Sequence, residues 1–346
     1  MKTENKNEII SILESRGTLS SNEIFQALTD SQSLATVKRI LSNLEADGII
    51  LSKGKARATK YELSPSFQLL KEIDLREYFK KEQDEREIKN NFNFNLITEV
   101  LSESQLFTVK EQESLEELHD FFKEKISKLS KTEYNKEMER LAIDLSWKSS
   151  QIEGNTYSLL ETELLLKEKE TAPGKPKQDA IMLLNHKEAL NFIIEHSDYI
   201  VPITIRGIED IHSLLIKDLD VDRNIRRGRV GITGTNYTPL DNEYQIREAL
   251  REMCSVINAK KNVLEKALLT LVLLSYIQAF ADGNKRTARI VSNGVLFASG
   301  YCPISFRTID SITYKEAMLV FYELNNISVF KRIFIEQYTF AVKNYF

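Results

Sequence analysis

Apolar positions along this chain recur mostly at three- and four-residue spacing, which predicts helices joined by few turns. Ile9, Ile10, Ile12 and Leu13 keep a helical period until Gly17-Thr-Leu-Ser interrupts it. Ser21 is placed to cap a second, short helix that turns Ile24, Phe25 and Leu28 inward. A third helix begins near Ser33, carries Val37, Ile40, Leu41 and Leu44 on one face, and stops at Asp47-Gly48. Two short β-rich runs then flank a glycine-containing basic turn before Leu63. Near residue 80, Lys-Lys-Glu-Gln-Asp-Glu-Arg-Glu predicts an exposed helix laced with i,i+4 ion pairs. Asn90-Asn-Phe-Asn-Phe-Asn predicts a break, and apolar periodicity returns at Leu115, Leu118, Phe121 and Phe122. From Tyr134 onward helix follows helix. Residues 267–280 form the most apolar stretch, too short and too polar (Thr270, Ser275, Gln278) to span a bilayer, and predict a buried core helix. One segment departs from the helical period: in RRGRVGITGTNYTPL, residues 226–240, Val230, Ile232 and Tyr237 alternate around Gly234 until Pro239, which predicts a β-hairpin.

Three helices followed by a hairpin is the element order of a winged helix-turn-helix, whose third helix lies in the major groove of DNA. Charge agrees with that placement. The whole chain carries a formal net charge of -4, yet between Ser33 and Tyr61 the bases Lys38, Arg39, Lys53, Lys55, Arg57 and Lys60 face only Glu45 and Asp47. A DNA operator is the expected partner of residues 1–64, contacted by Thr36, Lys38, Arg39, Lys53, Lys55 and Arg57. A merely solvated basic face and a protein-binding winged helix are the competing readings. With 346 residues and 42% hydrophobic content the chain has room for two or three domains. The expected division is 1–64, a helical connector at 65–133, and a main domain at 134–346. Cys254 and Cys302 lack metal spacing, and the N-terminus has no apolar signal run. A cytoplasmic, reducing location without membrane attachment is expected.

The chemistry concentrates at Gln278-Ala-Phe-Ala-Asp-Gly-Asn-Lys-Arg-Thr-Ala-Arg289. It reads as the end of a core helix, a glycine loop and the start of a second helix. Backbone N–H groups at such a start form an anion nest. Arg286 and Arg289, three apart, point the same way, and two guanidinium forks suit a polyphosphate. Asp282 offers a hard oxygen ligand for Mg²⁺, and Asn284 a donor for a phosphate oxygen. The spacing is not that of a Walker A loop. The bland alternative is a helical hairpin with surface arginines.

This segment resembles the signature of the Fic family, HxFx(D/E)GNxRxxR, through Phe280, Asp282, Gly283, Asn284, Arg286 and Arg289. Ser149-Ser-Gln-Ile-Glu-Gly-Asn155 resembles the family's inhibitory motif, (S/T)xxxE(G/N), at Ser149, Glu153 and Gly154. Ile211-His212-Ser-Leu-Leu and the hairpin at 230–239 resemble the helix and "flap" upstream of the signature. The resemblance spans roughly residue 134 to the end. It implies a mainly α fold: a Fic-type helical bundle with a β-hairpin flap, behind the N-terminal winged helix-turn-helix. It implies that Phe280 anchors the core, Asp282 holds Mg²⁺, and Gly283, Asn284, Lys285, Arg286 and Arg289 bind ATP. Glu153 would pair with Arg289 and block the outer phosphate. The flap (Val230, Ile232, Thr233, Gly234, Thr235, Tyr237) would pair with an extended protein target, and Tyr and Thr residues there are candidate self-modification sites. Members typically transfer AMP from ATP to a protein hydroxyl, with the signature histidine as general base.

Two positions depart from the pattern. The histidine position holds Gln278, and a neutral amide cannot take a hydroxyl proton near pH 7. Lys285 adds a cation and also occurs in relatives that transfer phosphate. His119, His186, His196 and His212 all lie away from the signature in sequence, and His212 sits on an apolar helix face with Ile208, Ile211 and Leu215. Three readings follow. One is a DNA-binding regulator, expected to be a homodimer, with a nucleotide-sensing Fic-like domain. The second is a protein adenylyltransferase or phosphotransferase restrained by Glu153. The third is an interaction module in which Arg286 and Arg289 serve only in ion pairs.

Overall fold

In the computed structural model residues 2–29 and 33–346 are described, and the side chains of residues 2–4 and of Arg57 lie outside the description. Contacts divide the chain into two units, residues 1–72 and 73–346.

In the first unit, α1 (Lys2–Arg16) leads through β1 (Leu19–Ser20) into α2 (Ser21–Ala27) and α3 (Leu34–Ala46). The cap of α2 is Ser20, one residue earlier than the sequence suggests. Its hydroxyl accepts from Glu23 N–H while the Glu23 carboxylate accepts from Ser20 N–H, a reciprocal capping box. Asp47 and left-handed Gly48 end α3. The chain then forms β2 (Ile50–Lys53) and β3 (Lys60–Leu63), and α4 (Pro65–Leu70) closes the unit. The sheet is antiparallel in the order β1-β3-β2. Ile9, Leu13, Ile24, Val37, Leu41, Leu44, Ile50 and Leu63 form its core. Lys38, Arg39 and Lys55 are exposed and Thr36 is half-buried. Lys53 pairs with Glu62 at 2.6 Å, so part of the basic face is neutralised.

The second unit starts with α5 (Leu75–Tyr78). The charge run that follows does not continue as a helix. It forms a single 3-10 turn at Gln83–Glu85 and extended chain through residue 91, because Arg86 turns inward to a buried carboxylate instead of pairing along a helix face. A π-turn (Leu96–Leu101) precedes α6 (Val109–Ser127) and α7 (Lys131–Ile152), both opened by capping boxes. There follow α8 (Leu159–Glu168), α9 (Lys177–Glu195), α10 (Ile205–Leu215), α11 (Glu243–Ala259), α12 (Val263–Ile277), α13 (Asn284–Ala298), α14 (Ser311–Leu324) and α15 (Ser328–Asn344). Every residue from Ala267 to Phe280 is buried, so α12 is the central helix that its uniform apolarity predicts. The Ser292 hydroxyl donates to the Ala267 carbonyl and ties α13 along α12. Among the described residues no helix is long and apolar enough to cross a membrane.

Residues 226–240 do not form the expected hairpin; among the described residues they hold no named strand. A hairpin requires its two arms to bond each other. Here the arms bond outward: Arg226 N–H donates to the Ala279 carbonyl, and Thr238 N–H donates to the Asn90 carbonyl. The apolar alternation instead reflects Val230 and Ile232 lining a cleft while Tyr237 enters the core.

Candidate functional site

The loop between α12 and α13 is built by its own side chains. Gln278 ends α12 in the left-handed region (φ 51°), and Gly283, at φ 81°, caps α13. Asn284 staples the turn: its Oδ1 accepts from Phe280 N–H at 2.8 Å, and its Nδ2 donates to the Phe280 carbonyl at 2.8 Å and to Gln278 Oε1 at 3.2 Å. The side chain expected to meet a phosphate is therefore spent inside the loop. What it leaves facing outward is the start of α13, where backbone N–H groups lack helical partners. Phe280 is buried and stacks on His212 at 3.6 Å, while His212 Nε2 lies 2.9 Å from the Asp282 carbonyl. A side chain at Gly283 would press on Ile216 at 3.2 Å, and left-handed backbone there already favours glycine.

Gln278 is likewise engaged, its Nε2 donating to the Ser275 carbonyl at 2.6 Å. None of the four histidines lines the cleft in its place. His186 and His212 are fully buried, His119 is buried against Tyr301, and His196 is exposed at the end of α9. Burial holds both His186 and His212 below the ordinary imidazole range, so they are neutral.

Glu153 caps α7, where left-handed Gly154 turns the chain away. Ser149 and Glu153, four apart, present to the same face. Arg289 Nε donates to Ser149 Oγ at 2.7 Å, and its Nη2 donates to the Ser149 carbonyl at 2.9 Å and to Glu153 Oε1 at 2.7 Å. Lys285 Nζ lies 3.5 Å from the other Glu153 oxygen. Burial alone would raise the Glu153 carboxyl, but Arg289, Lys285 and Arg286 outweigh it and hold it below the usual 4.5. Arg286 donates to Asp282 at 3.1 Å. Its Nε and Nη1, and Nη1 of Arg289, are buried donors without a partner. Guanidinium groups this deep are suited to an anion.

One cleft of about 710 Å³ is lined by Glu153, Gln278, residues 281–285 and residues 230–234, whereas Ser149, Arg286 and Arg289 are buried and do not line it. Thr235 and Tyr237 face away from it. Both are buried, and the Tyr237 hydroxyl donates to the Tyr276 carbonyl, which removes Tyr237 as a self-modification site. Phe79, Glu82, Gln83 and Arg86 line the same cleft, as do Ile312, Lys315 and Tyr322, none of which stands out in the sequence. The aromatic pair Tyr78-Phe79 directly before the charge run was the one available signal. Among the described residues no cluster of three metal-ligating side chains occurs. Any Mg²⁺ at Asp282 would take most of its ligands from phosphate and water.

The fold is a helical bundle in which a glycine loop, at the start of a buried helix, lies beside an internal carboxylate. The Fic/DOC family model matches residues 202–296. The chain is 28% identical over 166 residues to protein adenylyltransferase fic-1 of Caenorhabditis elegans, covering 44% of this chain and 31% of that protein. It is 31% identical over 176 residues to protein adenylyltransferase Fic of Nematostella vectensis, covering 49% of this chain and 40% of that protein. It thus spans well under half the length of these relatives. Among solved structures, a fragment of Fic-1 from C. elegans superposes with TM-score 0.59 at 24% identity, over 68% of this chain and 72% of that one. A Fic domain containing signaling protein from Bacteroides thetaiotaomicron superposes with TM-score 0.57 at 21% identity, over 66% and 94%. At these identities the structural likeness concerns the fold.

Proposed function

We propose that this chain binds Mg–ATP in the cleft and is a protein adenylyltransferase held in check by Glu153. The observation that carries this reading is the position of Glu153: an internal carboxylate engages Arg289 and Lys285 beside the glycine loop, where a phosphate oxygen would compete for the same cations. The unpartnered guanidinium nitrogens of Arg286 and Arg289 fit a polyphosphate, and the exposed Asp282 carboxylate fits a hard cation. Bound Mg²⁺ would supply charge neutralisation between phosphates. The names of the curated relatives favour adenylyl transfer over the regulator reading.

In such a transfer the target hydroxyl oxygen attacks the α-phosphorus, the bond to pyrophosphate breaks, and the hydroxyl proton must leave. Arg286 and Arg289 would stabilise the departing charge. Gln278 cannot take the proton, so the native chain transfers slowly while still binding nucleotide. Calorimetric titration with Mg–ATP tests the site. Binding should tighten in Glu153→Gly and vanish in Arg289→Ala; equal affinity in wild type and Glu153→Gly would remove Glu153 as the gate.

A second reading concerns the first unit. Its element order and the exposed Lys38, Arg39 and Lys55 favour a winged helix-turn-helix that contacts an operator, as a homodimer on paired half-sites in the cytoplasm. Binding to duplex DNA should weaken steeply with salt and be lost in Lys38→Ala/Arg39→Ala. Retention of affinity in that variant would sink the assignment.

A further inference from the structure

The segment 78–93 lies against the flap and α14 through a chain of specific bonds. Arg86 Nε and Nη2 reach the two oxygens of Glu323 at 3.1 and 3.0 Å, a bidentate pair whose side chains are 5% and 0% exposed. The same Nη2 also donates to the Gly234 carbonyl in the flap turn. Tyr78 Oη donates to Glu323 at 2.6 Å, and Lys89 N–H donates to the Glu323 carbonyl at 2.8 Å. Farther along, Gln83 donates to Asn236 at 2.6 Å, Asn236 donates to Asp84 at 2.9 Å, and Thr238 N–H donates to the Asn90 carbonyl at 2.7 Å. By contrast, apart from the turn at residues 233–234, residues 230–233 take part in no strand pairing among the described residues.

Arg86 has five N–H donors, of which the Glu323 carboxylate takes two; a further donor goes to the Gly234 carbonyl and one, at 3.4 Å, to the Lys81 carbonyl. The Gly234 contact thus satisfies the arginine and ties the flap turn to it. We infer that Arg86 is a positioning residue: held rigid by Glu323, it fixes the flap turn, and with it the open edge at 230–233 and one wall of the cleft. This rests on the proposal that the flap receives the protein target, and it assigns the connector a share in setting where that target lies. The guanidinium is suited to the role because its planar fork serves the carboxylate and the carbonyl together, which an ammonium cannot reproduce.

Hydrogen exchange on the full chain tests it, comparing wild type with Arg86→Ala and Arg86→Lys. In Arg86→Ala the amides of Tyr237, Thr238 and Lys89 should exchange at least about tenfold faster, while those of α13 keep wild-type rates. Arg86→Lys retains a positive charge beside Glu323, so it should fold and still loosen the same amides, about threefold or more. Unchanged flap exchange in both variants would overturn the inference. So would equal acceleration across α13, which would make Arg86 a general stabiliser. Should Glu153→Gly not bind Mg–ATP, the proposed function fails, and flap exchange alone decides the role of Arg86.

Discussion

The loop at 278–284 and the flap at 226–240 face each other across one cleft and are stabilised in opposite ways. The loop satisfies much of its backbone with side chains a few residues away, Asn284 bonding Phe280 twice, Gln278 bonding Ser275 and the Thr287 hydroxyl donating to the Gly283 carbonyl, with Arg226 and His212 adding bonds from farther off. The flap takes its support from far along the chain, from Arg86, Gln83 and Asn90. Rigid, locally closed geometry suits a nest that must present amides to phosphates without reorganising. An edge that depends on another segment can be reset by whatever moves that segment.

The largest expected effect lies at the pin between the loop's helix and α7. Arg289 is fully buried, bonds both Ser149 and Glu153, and stands 5.3 Å over the Tyr314 ring. Arg289→Ala should cost about 3–5 kcal/mol of stability, as breaking a buried pair does, and abolish Mg–ATP binding. Thermal unfolding and calorimetry read the two losses. The same pair has a definite pH dependence. The Glu153 carboxyl is held below 4.5, so its contribution is complete at neutral pH and is lost as pH falls through the depressed value. Nucleotide affinity in wild type should therefore show no Glu153-dependent change between about pH 6 and pH 8.

Gln278 probes the loop's chemistry. Its left-handed backbone (φ 51°) is uncommon for glutamine and several-fold more congenial to histidine. Gln278→His gives up the buried bonds to the Ser275 carbonyl and from Asn284, so a loss of about 1 kcal/mol is expected, and in a Glu153→Gly background transfer of label from radiolabelled ATP should rise about 10²–10⁴-fold. Native activity already at the histidine level would mean that some other group takes the proton.

Part of the loop was legible in the sequence because the side-chain bonds of Asn284, Gln278 and Thr287 close within a few residues, whereas its bonds from His212 and Arg226 come from far along the chain and spacing does not display them. Glu153 was legible because Ser149, Glu153 and Gly154 sit at the end of one helix, four- and five-apart. Asn284 bonds Phe280 and Gln278 within the loop, which the motif does not display, since a motif gives a position and not a side-chain direction. The flap was misread because alternating Val230, Ile232 and Tyr237 is compatible with a paired strand, and only the distant Asn90 and Arg86 reveal where its bonds go. The charge run near residue 80 hid Arg86 because i,i+4 pairing on a surface helix predicts the same composition as one inward-turning arginine.

Asn284→Ala tests how local the loop's stability is. Phe280 N–H, the Phe280 carbonyl and Gln278 Oε1 would each lose a bond in a buried setting. A loss of about 2–3 kcal/mol in chemical denaturation is expected, with weakened Mg–ATP binding as the amide nest loosens. A stable variant with intact affinity would show that α13 holds the turn without its staple.

The smallest effect separates the two ends of the flap. At its base Tyr237 is buried, stacks 5.0 Å from Tyr276 and donates to the Tyr276 carbonyl at 3.2 Å. Tyr237→Phe keeps the ring packing and removes one hydrogen bond, so about 1 kcal/mol should be lost in denaturant unfolding. Because the hydroxyl faces the core, label incorporated by the Glu153→Gly chain should be unchanged by this substitution. A stability loss like that of Asn284→Ala would make the base of the flap as tightly specified as the loop. Loss of label would place Tyr237 outside the core during turnover, and then the flap would move as a whole rather than about a fixed base with an adjustable tip.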